Sequence, residues 1–473
     1  MLESNGQKNK ALFIGTMTYA IGNFGTKILS FLIVPLYTYY IKPSDLGDYD
    51  LLITTVSLLS PLLTMKISDA TYRWLIKNPD NCTDYISATY QVLVRNCLIA
   101  AVFLLLVNQI IPIWNCYYFV AILVGDRILE CVQKLLRGLK NQKLFAVSGI
   151  LYTAILVFSN FIKICLLKQG VVALLQSVIF SQWCTIIFLF IVEKRLRAIN
   201  WKKKYGHLQK EMLHYSVPLV PATLSWWVMS ASDRYVIRWL LGSAANGIYA
   251  IAGKFPSILQ MIFTMFNNAW TDMALAELGK DVQNEAYTEK IFKQLYKLSF
   301  CMVLILIPVT KIVTRFILSD AYKTASIYIG FLYLGTVFQG FSSFCSIGYL
   351  QQKTTGGAAK TSMYGALANL VIDVVVMRFM GLHAASVSTF AGFFMMWLCR
   401  MQDIKESFPV RINKNIFSLY FILSIGFATV TIWTNVLADM ILTVIAVSLF
   451  WIANGESLKQ IIMFVKEKKS GKK

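Results

Sequence analysis

Charged side chains inside apolar stretches are the chemistry this chain offers. Ala11–Ile41 is apolar apart from small polar residues and one charge, Lys27. Other hydrophobic stretches repeat the pattern: Lys66, Asp69 and Arg73 in one, Arg95 in the next, then Asp126, Arg127 and Glu130, then Asp233, Arg234 and Arg238, and beyond them Lys254. A charge at bilayer depth costs about 2.5 kcal/mol or more, so such residues face a wet interior and meet a partner. Most of these are cations, so the partner they suit is anionic. Arginine grips a phosphate bidentately, whereas lysine acts as a compact point charge.

Spacing sorts the charges further. Lys66, Asp69 and Arg73 stand at i, i+3 and i+7 and so share a helix face. Arg127 and Glu130 also share a face, and Glu130 can meet Lys134. Lys66, Asp69, Arg73, Arg127 and Glu130 are therefore read as ion-pair clusters, either gates or plain structural pairing. Asp373 lies deep in an apolar stretch with no evident partner; with Asp69 it is a candidate proton or sodium site. Lys163, Arg238, Arg315 and Arg378, near the ends of stretches, are expected to snorkel to the interface. His207, His214 and His383 are scattered, so no metal site is expected. Nine cysteines without a CxxC pair read as small packing residues. No catalytic constellation, P-loop or cofactor motif stands out: Gly22-Asn-Phe-Gly-Thr-Lys lacks Walker spacing.

Long apolar helices must position these charges. The chain has 473 residues, 57% of them hydrophobic and only 15% charged, with a mean hydropathy of +0.59. A span needs about 20 apolar residues. Fourteen spans are predicted, at roughly 11–41, 45–74, 84–110, 113–137, 144–166, 170–193, 212–241, 245–276, 290–315, 322–350, 356–379, 382–400, 414–435 and 437–455. The class is all-α and polytopic. The first run is too long for a signal-peptide core and is expected to stay as the first span. Pro35, Pro61, Pro218, Pro221, Pro256 and Pro308 fall within spans and predict bent helices.

The net charge of +21 would suggest nucleic acid in a soluble protein. Here most basic residues fall in alternate loops, so no nucleic-acid partner is expected. With the N-terminus inside, the inner segments hold Arg137, Lys140 and Lys143, the run Lys194–Lys210, Arg400, Lys405 and Arg411, and the Lys-rich tail to Lys473. The outer loops are short and hold little: Lys42, Lys168, Arg315, Lys323 and Arg378. This positive-inside asymmetry predicts both termini in the cytoplasm. The acidic loop Glu277–Glu289 is a weak exception, and the sequon Asn81-Cys-Thr falls on the inner side, where it would be silent.

The halves echo each other. Ser44-Asp-Leu-Gly-Asp-Tyr-Asp-Leu follows the first span and Ala244-Ala-Asn-Gly-Ile-Tyr-Ala-Ile the seventh, aligning Gly47 with Gly247 and Tyr49 with Tyr249. Six spans per half make such a repeat parallel, about an axis along the membrane normal. The expected organisation is an N-terminal six-helix lobe (1–200), a basic cytoplasmic linker (201–211), a second six-helix lobe (212–400), and two additional helices with a basic tail (401–473).

Two segments carry a resemblance. The run from Asp233-Arg-Tyr-Val-Ile-Arg to Gly253-Lys-Phe-Pro, and Val34-Pro-Leu-Tyr-Thr-Tyr-Tyr-Ile-Lys-Pro-Ser-Asp-Leu-Gly-Asp-Tyr, resemble signatures of the polysaccharide transporter family. These are Wzx-type flippases of the multidrug/oligosaccharidyl-lipid/polysaccharide exporter superfamily. The resemblance implies two lobes around a central cavity in a bacterial cytoplasmic membrane. It implies export of an undecaprenyl-pyrophosphate-linked oligosaccharide, with membrane lipids and other polysaccharide assembly proteins as partners and no cofactor. Such a substrate has an anionic pyrophosphate, which makes Lys27, Lys254, Arg234 and Arg95, in that order, the candidate headgroup contacts. Three other readings are weighed. A glycan polymerase or ligase would need catalytic groups outside, where the loops are short. A multidrug exporter of the same superfamily would suit acidic spans better than these. A flippase for a lipid-linked peptidoglycan precursor would share the anchor.

Overall fold

The computed structural model describes residues 25–27, 29–276, 285–352, 356–405, 408, 410 and 412–469. Residues 11–24 and 28 of the first expected span, most of the acidic loop, and Arg411 and Lys473 lie outside these. The described regular structure is helical, without a strand. Helix α1 covers residues 29–40 and its lead-in 25–27. There follow α2 (Pro43–Thr64), α3 (Ile67–Lys77), α4 (Cys82–Ile110), α5 (Cys116–Gly138), α6 (Gln142–Asn160, continued by a wider turn Phe161–Leu166), α7 (Val171–Val192), α8 (Gly206–Ser216), α9 (Val220–Ala231) and α10 (Asp233–Leu240). The remainder are α11 (Ser243–Ala252), α12 (Pro256–Ala276), α13 (Glu285–Ile317), α14 (Ile329–Gln352), α15 (Gly356–Met380), α16 (His383–Asp403), α17 (Lys414–Val430) and α18 (Val436–Lys469).

Nine of the described helical segments are long and apolar enough to cross a bilayer, and α11 with α12, bent by 47°, makes a tenth. Four expected spans remain. The first lies partly outside the described residues. Helix α5 carries Asp126, Arg127, Glu130 and Lys134, and α17 has only 17 residues. The seventh is segmented, because Pro218 and Pro221 interrupt it and leave α8, a short turn Val217–Leu219, α9 and α10.

The second expected span, 45–74, is also two helices. Met65 and Lys66 both take left-handed backbone angles, φ 47° and 57°. Each such non-glycine residue costs about 1–2 kcal/mol. Tertiary hydrogen bonds hold the break. Asn96 Nδ2 donates to the Leu63 carbonyl at 2.8 Å, Ser216 Oγ to the Met65 carbonyl at 2.7 Å, and the Lys66 amide to Thr64 Oγ1 at 3.2 Å. Orphaned backbone groups in a span survive only with such partners.

The chain forms two compact units: Met1–Arg238 with Gly242–Gly247, and Trp239–Leu241 with Ile248–Lys473. Helix α8 belongs to the first, where Met212 packs with Ile67, Ala70, Ala88 and Val92. The first unit's inner core joins Leu75, Tyr90, Leu93, Val132, Leu135 and Leu189 from α3, α4, α5 and α7. A second cluster, Leu52, Val56, Phe119, Ile122 and Leu175, ties α2, α5 and α7. The second unit is built on aromatics. Phe338 meets Phe300, Phe341, Phe394, Trp397 and Phe421 at ring-centroid distances from 4.9 to 6.1 Å, joining α13, α14, α16 and α17. Helices α15 and α16 approach through small residues: a Cβ on Gly392 would lie 2.7 Å from Asn369 Cβ and 3.0 Å from the Gly365 carbonyl oxygen.

Candidate functional site

Four of the five expected cluster residues come together in the first unit, beside the α2–α3 break. Lys66 Nζ lies 2.9 Å from Asp69 Oδ2. Lys134 Nζ bridges Asp69 at 2.7 Å and Glu130 at 3.0 Å. Arg127 pairs with Glu130 and with Asp126. Ser60 Oγ donates to Glu130 at 3.3 Å. The chain of contacts alternates in sign, with three cations and three carboxylates, so it is neutral as a whole. Arg127 is only 4% exposed; a charge so placed is tolerable because it is paired. The fifth residue, Arg73, stacks instead on the Tyr215 ring, 4.5 Å from its centroid, and ties α3 to α8.

A second constellation binds α2 to the α10–α11 corner, also within the first unit. Arg234 Nε donates to Asp50 Oδ2 at 2.8 Å and its Nη1 to Asp233 Oδ1 at 3.1 Å. Arg238 Nε donates to Asp48 Oδ1 at 3.2 Å, and Ser243 Oγ to the same carboxylate. Asn246 Nδ2 donates to the Gly47 carbonyl at 2.8 Å. Under this polar rim the two aligned glycines touch. A Cβ on Gly47 would overlap the Ser243 carbonyl, 2.8 Å from its carbon, and lie 2.9 Å from the Gly247 nitrogen. A Cβ on Gly247 would overlap the Pro43 carbonyl, 2.8 Å from its carbon, and lie 3.1 Å from the Gly47 nitrogen. The contact is reciprocal: each glycine meets the carbonyl four residues before the other. Only glycine lets two helix starts approach so closely.

The other expected headgroup contacts stand in different settings. Lys27 is half-buried, in a stretch whose Thr26 and Gly25 abut Gly149 and Ile150 of α6. Lys254 is exposed at the bend between α11 and α12, in the second unit. Its carbonyl accepts from Ser257 Oγ at 2.6 Å. Arg95 is exposed on α4. Asp373 is fully buried on α15 and accepts from Ser388 Oγ of α16 at 3.3 Å.

Three buried charges escaped notice in the sequence. Arg400 reads there as a loop cation, yet it is buried and fans its guanidinium over α14 and α15. It donates to the Ser342 carbonyl and Ser346 Oγ, both at 2.7 Å, and to Ser362 Oγ at 3.0 Å. Lys311 of α13 and Asp439 of α18 form a buried pair at 3.5 Å. Lys311 Nζ also donates to the carbonyls of Thr431 and Thr434. Breaking a buried pair from one side strands the other charge. Asp439→Ala should therefore destabilise the protein by about 3 kcal/mol, and Lys311→Met with Asp439→Leu should recover most of that. Denaturation of the purified protein in detergent checks this; a double variant as unstable as the single would refute the pairing. On the linker, a hydrogen bond from Lys203 Nζ to Asp84 at 2.7 Å holds the lysine above its ordinary pKa. That pair is intact at neutral pH and is lost both in strong alkali, where the lysine gives up its proton, and in strong acid, where Asp84 takes one.

Long apolar helices that carry buried charges define an all-helical, multi-pass membrane protein. Residues 12–271 match the family described as polysaccharide biosynthesis protein. That is more than half of the chain, which belongs to this family. No curated protein matches it in sequence. Its fold is shared with the lipid II flippase MurJ in an inward closed conformation, at TM-score 0.72 and 13% identity, covering 94% of this chain and 100% of that one. It is shared with an inward-facing multidrug resistance MATE family transporter of the MOP superfamily, at 0.64 and 14%, covering 82% and 98%. A variant of the Vibrio cholerae MATE transporter VcmN superposes at 0.56 and 12%, covering 89% and 100%. The resemblance read from the two sequence signatures is thus borne out at the level of family and fold.

Proposed function

We propose that this protein is a flippase that carries undecaprenyl-pyrophosphate-linked oligosaccharide units across the bacterial cytoplasmic membrane for surface polysaccharide assembly. The observation that carries the reading is the conjunction of a polysaccharide biosynthesis family match over residues 12–271 with the fold of a lipid II flippase. The work is transport by alternating access through a cationic central cavity, with no enzymatic step. Lys27, Lys254 and Arg234 are each candidate contacts for the pyrophosphate, Arg234 once its pairs with Asp50 and Asp233 open. The neutral network around Lys134 serves as one gate and the Gly47–Gly247 contact as the other. Asp69 and Asp373 are the carboxylates for any coupled ion. Both termini lie in the cytoplasm, and the lobes follow the repeat, with α17 and α18 additional. A multidrug exporter shares the fold, but the cations at Lys27, Arg234 and Lys254 favour an anionic cargo.

Deletion in a polysaccharide-producing bacterium should abolish surface polysaccharide and pile up its lipid-linked precursor in the inner leaflet. Continued surface polysaccharide, or accumulation of the peptidoglycan precursor in its place, would replace this substrate. A cysteine at position 203 should resist an impermeant reagent added outside intact cells; labelling there would reverse the orientation.

A further inference from the structure

The face of α4 that holds Arg95 is a stripe. Leu98, Ile99, Val102, Phe103 and Leu106 follow it at +3, +4, +7, +8 and +11, and all are exposed. That spacing is one side of a helix, and so much uncovered apolar surface on a spanning helix faces lipid chains. Arg95 therefore sits on the lipid side of α4. Beside it a cleft of about 520 Å³ is lined by Arg95, Gln209, Lys210, Leu213, His214 and Val217. Gln209 fixes the geometry, donating from Nε2 to the Ala88 carbonyl at 3.3 Å and to Gln91 Oε1 at 3.1 Å. Lys210 and His214, one turn apart on α8, lie along the same wall. No carboxylate lines the cleft. A concave site with two permanent cations, next to a lipid-facing apolar stripe, complements a molecule with an anionic phosphate and a long hydrocarbon chain.

We propose that this cleft holds a resident anionic phospholipid of the inner leaflet, its phosphate between Arg95 and Lys210 and one acyl chain along the α4 stripe. The occupant is a membrane lipid in its own right, distinct from the transported cargo. It fastens α8 to α4, and through Ser216 of α8 it bears on the α2–α3 break. Guanidinium and ammonium divide the labour: the arginine fixes phosphate orientation and the lysine adds charge.

The test uses the full-length protein in nanodiscs of phosphatidylcholine with phosphatidylglycerol, ejected for native mass spectrometry to count retained lipids. Wild type should retain phosphatidylglycerol in preference to phosphatidylcholine. Arg95→Gln with Lys210→Gln should lower that retention roughly thirtyfold, as expected for two cations at a membrane surface. Arg95→Lys with Lys210→Arg should keep most of it, which separates lost charge from lost folding. Lys202→Gln with Lys204→Gln, on the neighbouring linker, should bind as wild type. Millimolar inorganic pyrophosphate should not displace the lipid. Equal retention of phosphatidylcholine, undiminished retention by the double glutamine variant, or loss confined to the linker variant would each overturn the site. Displacement by pyrophosphate would reassign the cleft to a free or cargo phosphate.

Discussion

Gly47→Ala and Gly247→Ala, made singly, should each cut export about a hundredfold while the protein still reaches the membrane. The added methyl group is small, but its neighbours are backbone: the Ser243 carbonyl in one case and the Pro43 carbonyl in the other. Backbone inside a helix turn has no rotamer to escape into. Overpacking costs about 1–3 kcal/mol, and this geometry belongs at the upper end, worth about a hundredfold in the population of the closed contact. The helices themselves should tolerate alanine, which is the better helix former. The loss therefore falls on the approach of α2 to α11 and leaves each helix intact. Gly426→Ala, where a Cβ meets nothing within 4 Å, is the matched control and should export normally. Neutralising the rim, by Asp48→Asn or Arg238→Gln, should cost only a few-fold, because a half-exposed pair is worth little. Export that tolerates both alanines would remove this contact from the transport cycle. A Gly47→Ala effect with none at Gly247 would break the reciprocity on which the argument stands.

Much of this arrangement was legible along the chain, and what was not has a common cause. Fourteen apolar stretches and the charges within them follow from composition and period. The alignment of Gly47 with Gly247 was visible as a repeat, but nothing local says that the two copies touch. Arg234 reads as an intramembrane cation, whereas its partner Asp50 stands 184 positions away. Arg400 read as a loop charge because it ends an apolar run; the hydroxyls of Ser346 and Ser362 that make its burial tolerable come from α14 and α15. The break at Met65–Lys66 has no glycine to announce it. It is imposed by hydrogen bonds from Asn96 and Ser216, in helices whose approach only the fold decides. Arg95 shows the converse. Its membrane depth was readable, but which way its helix face turns depends on where α5, α8 and the rest of the first unit pack.

Lys27→Ala and Lys254→Ala should each abolish export and leave membrane insertion intact. The two sites differ in setting, which sharpens the expectation. Lys27 is half-buried within an apolar helix, where an ionised lysine carries a cost of about 2.5 kcal/mol. A purely structural lysine there would lose protein from the membrane when replaced, whereas a binding lysine would lose export alone. Lys254 stands exposed at the 47° bend between α11 and α12. A role in binding predicts stable protein without export at both positions. Losing one desolvated charge contact to a phosphate costs about 2–5 kcal/mol, at least about thirtyfold in affinity, which a surface-polysaccharide assay would register as near-complete loss. Lys27→Arg keeps the charge but spreads it over a planar fork, so it should retain part of the activity. Lys27→Met keeps length and apolar bulk without charge and should behave like alanine, which separates charge from packing. Normal export by both alanine variants would return these lysines to a structural role and leave the pyrophosphate to other cations. Loss of export accompanied by loss of protein from the membrane would show that Lys27 serves insertion, with charge acting on topology in place of cargo.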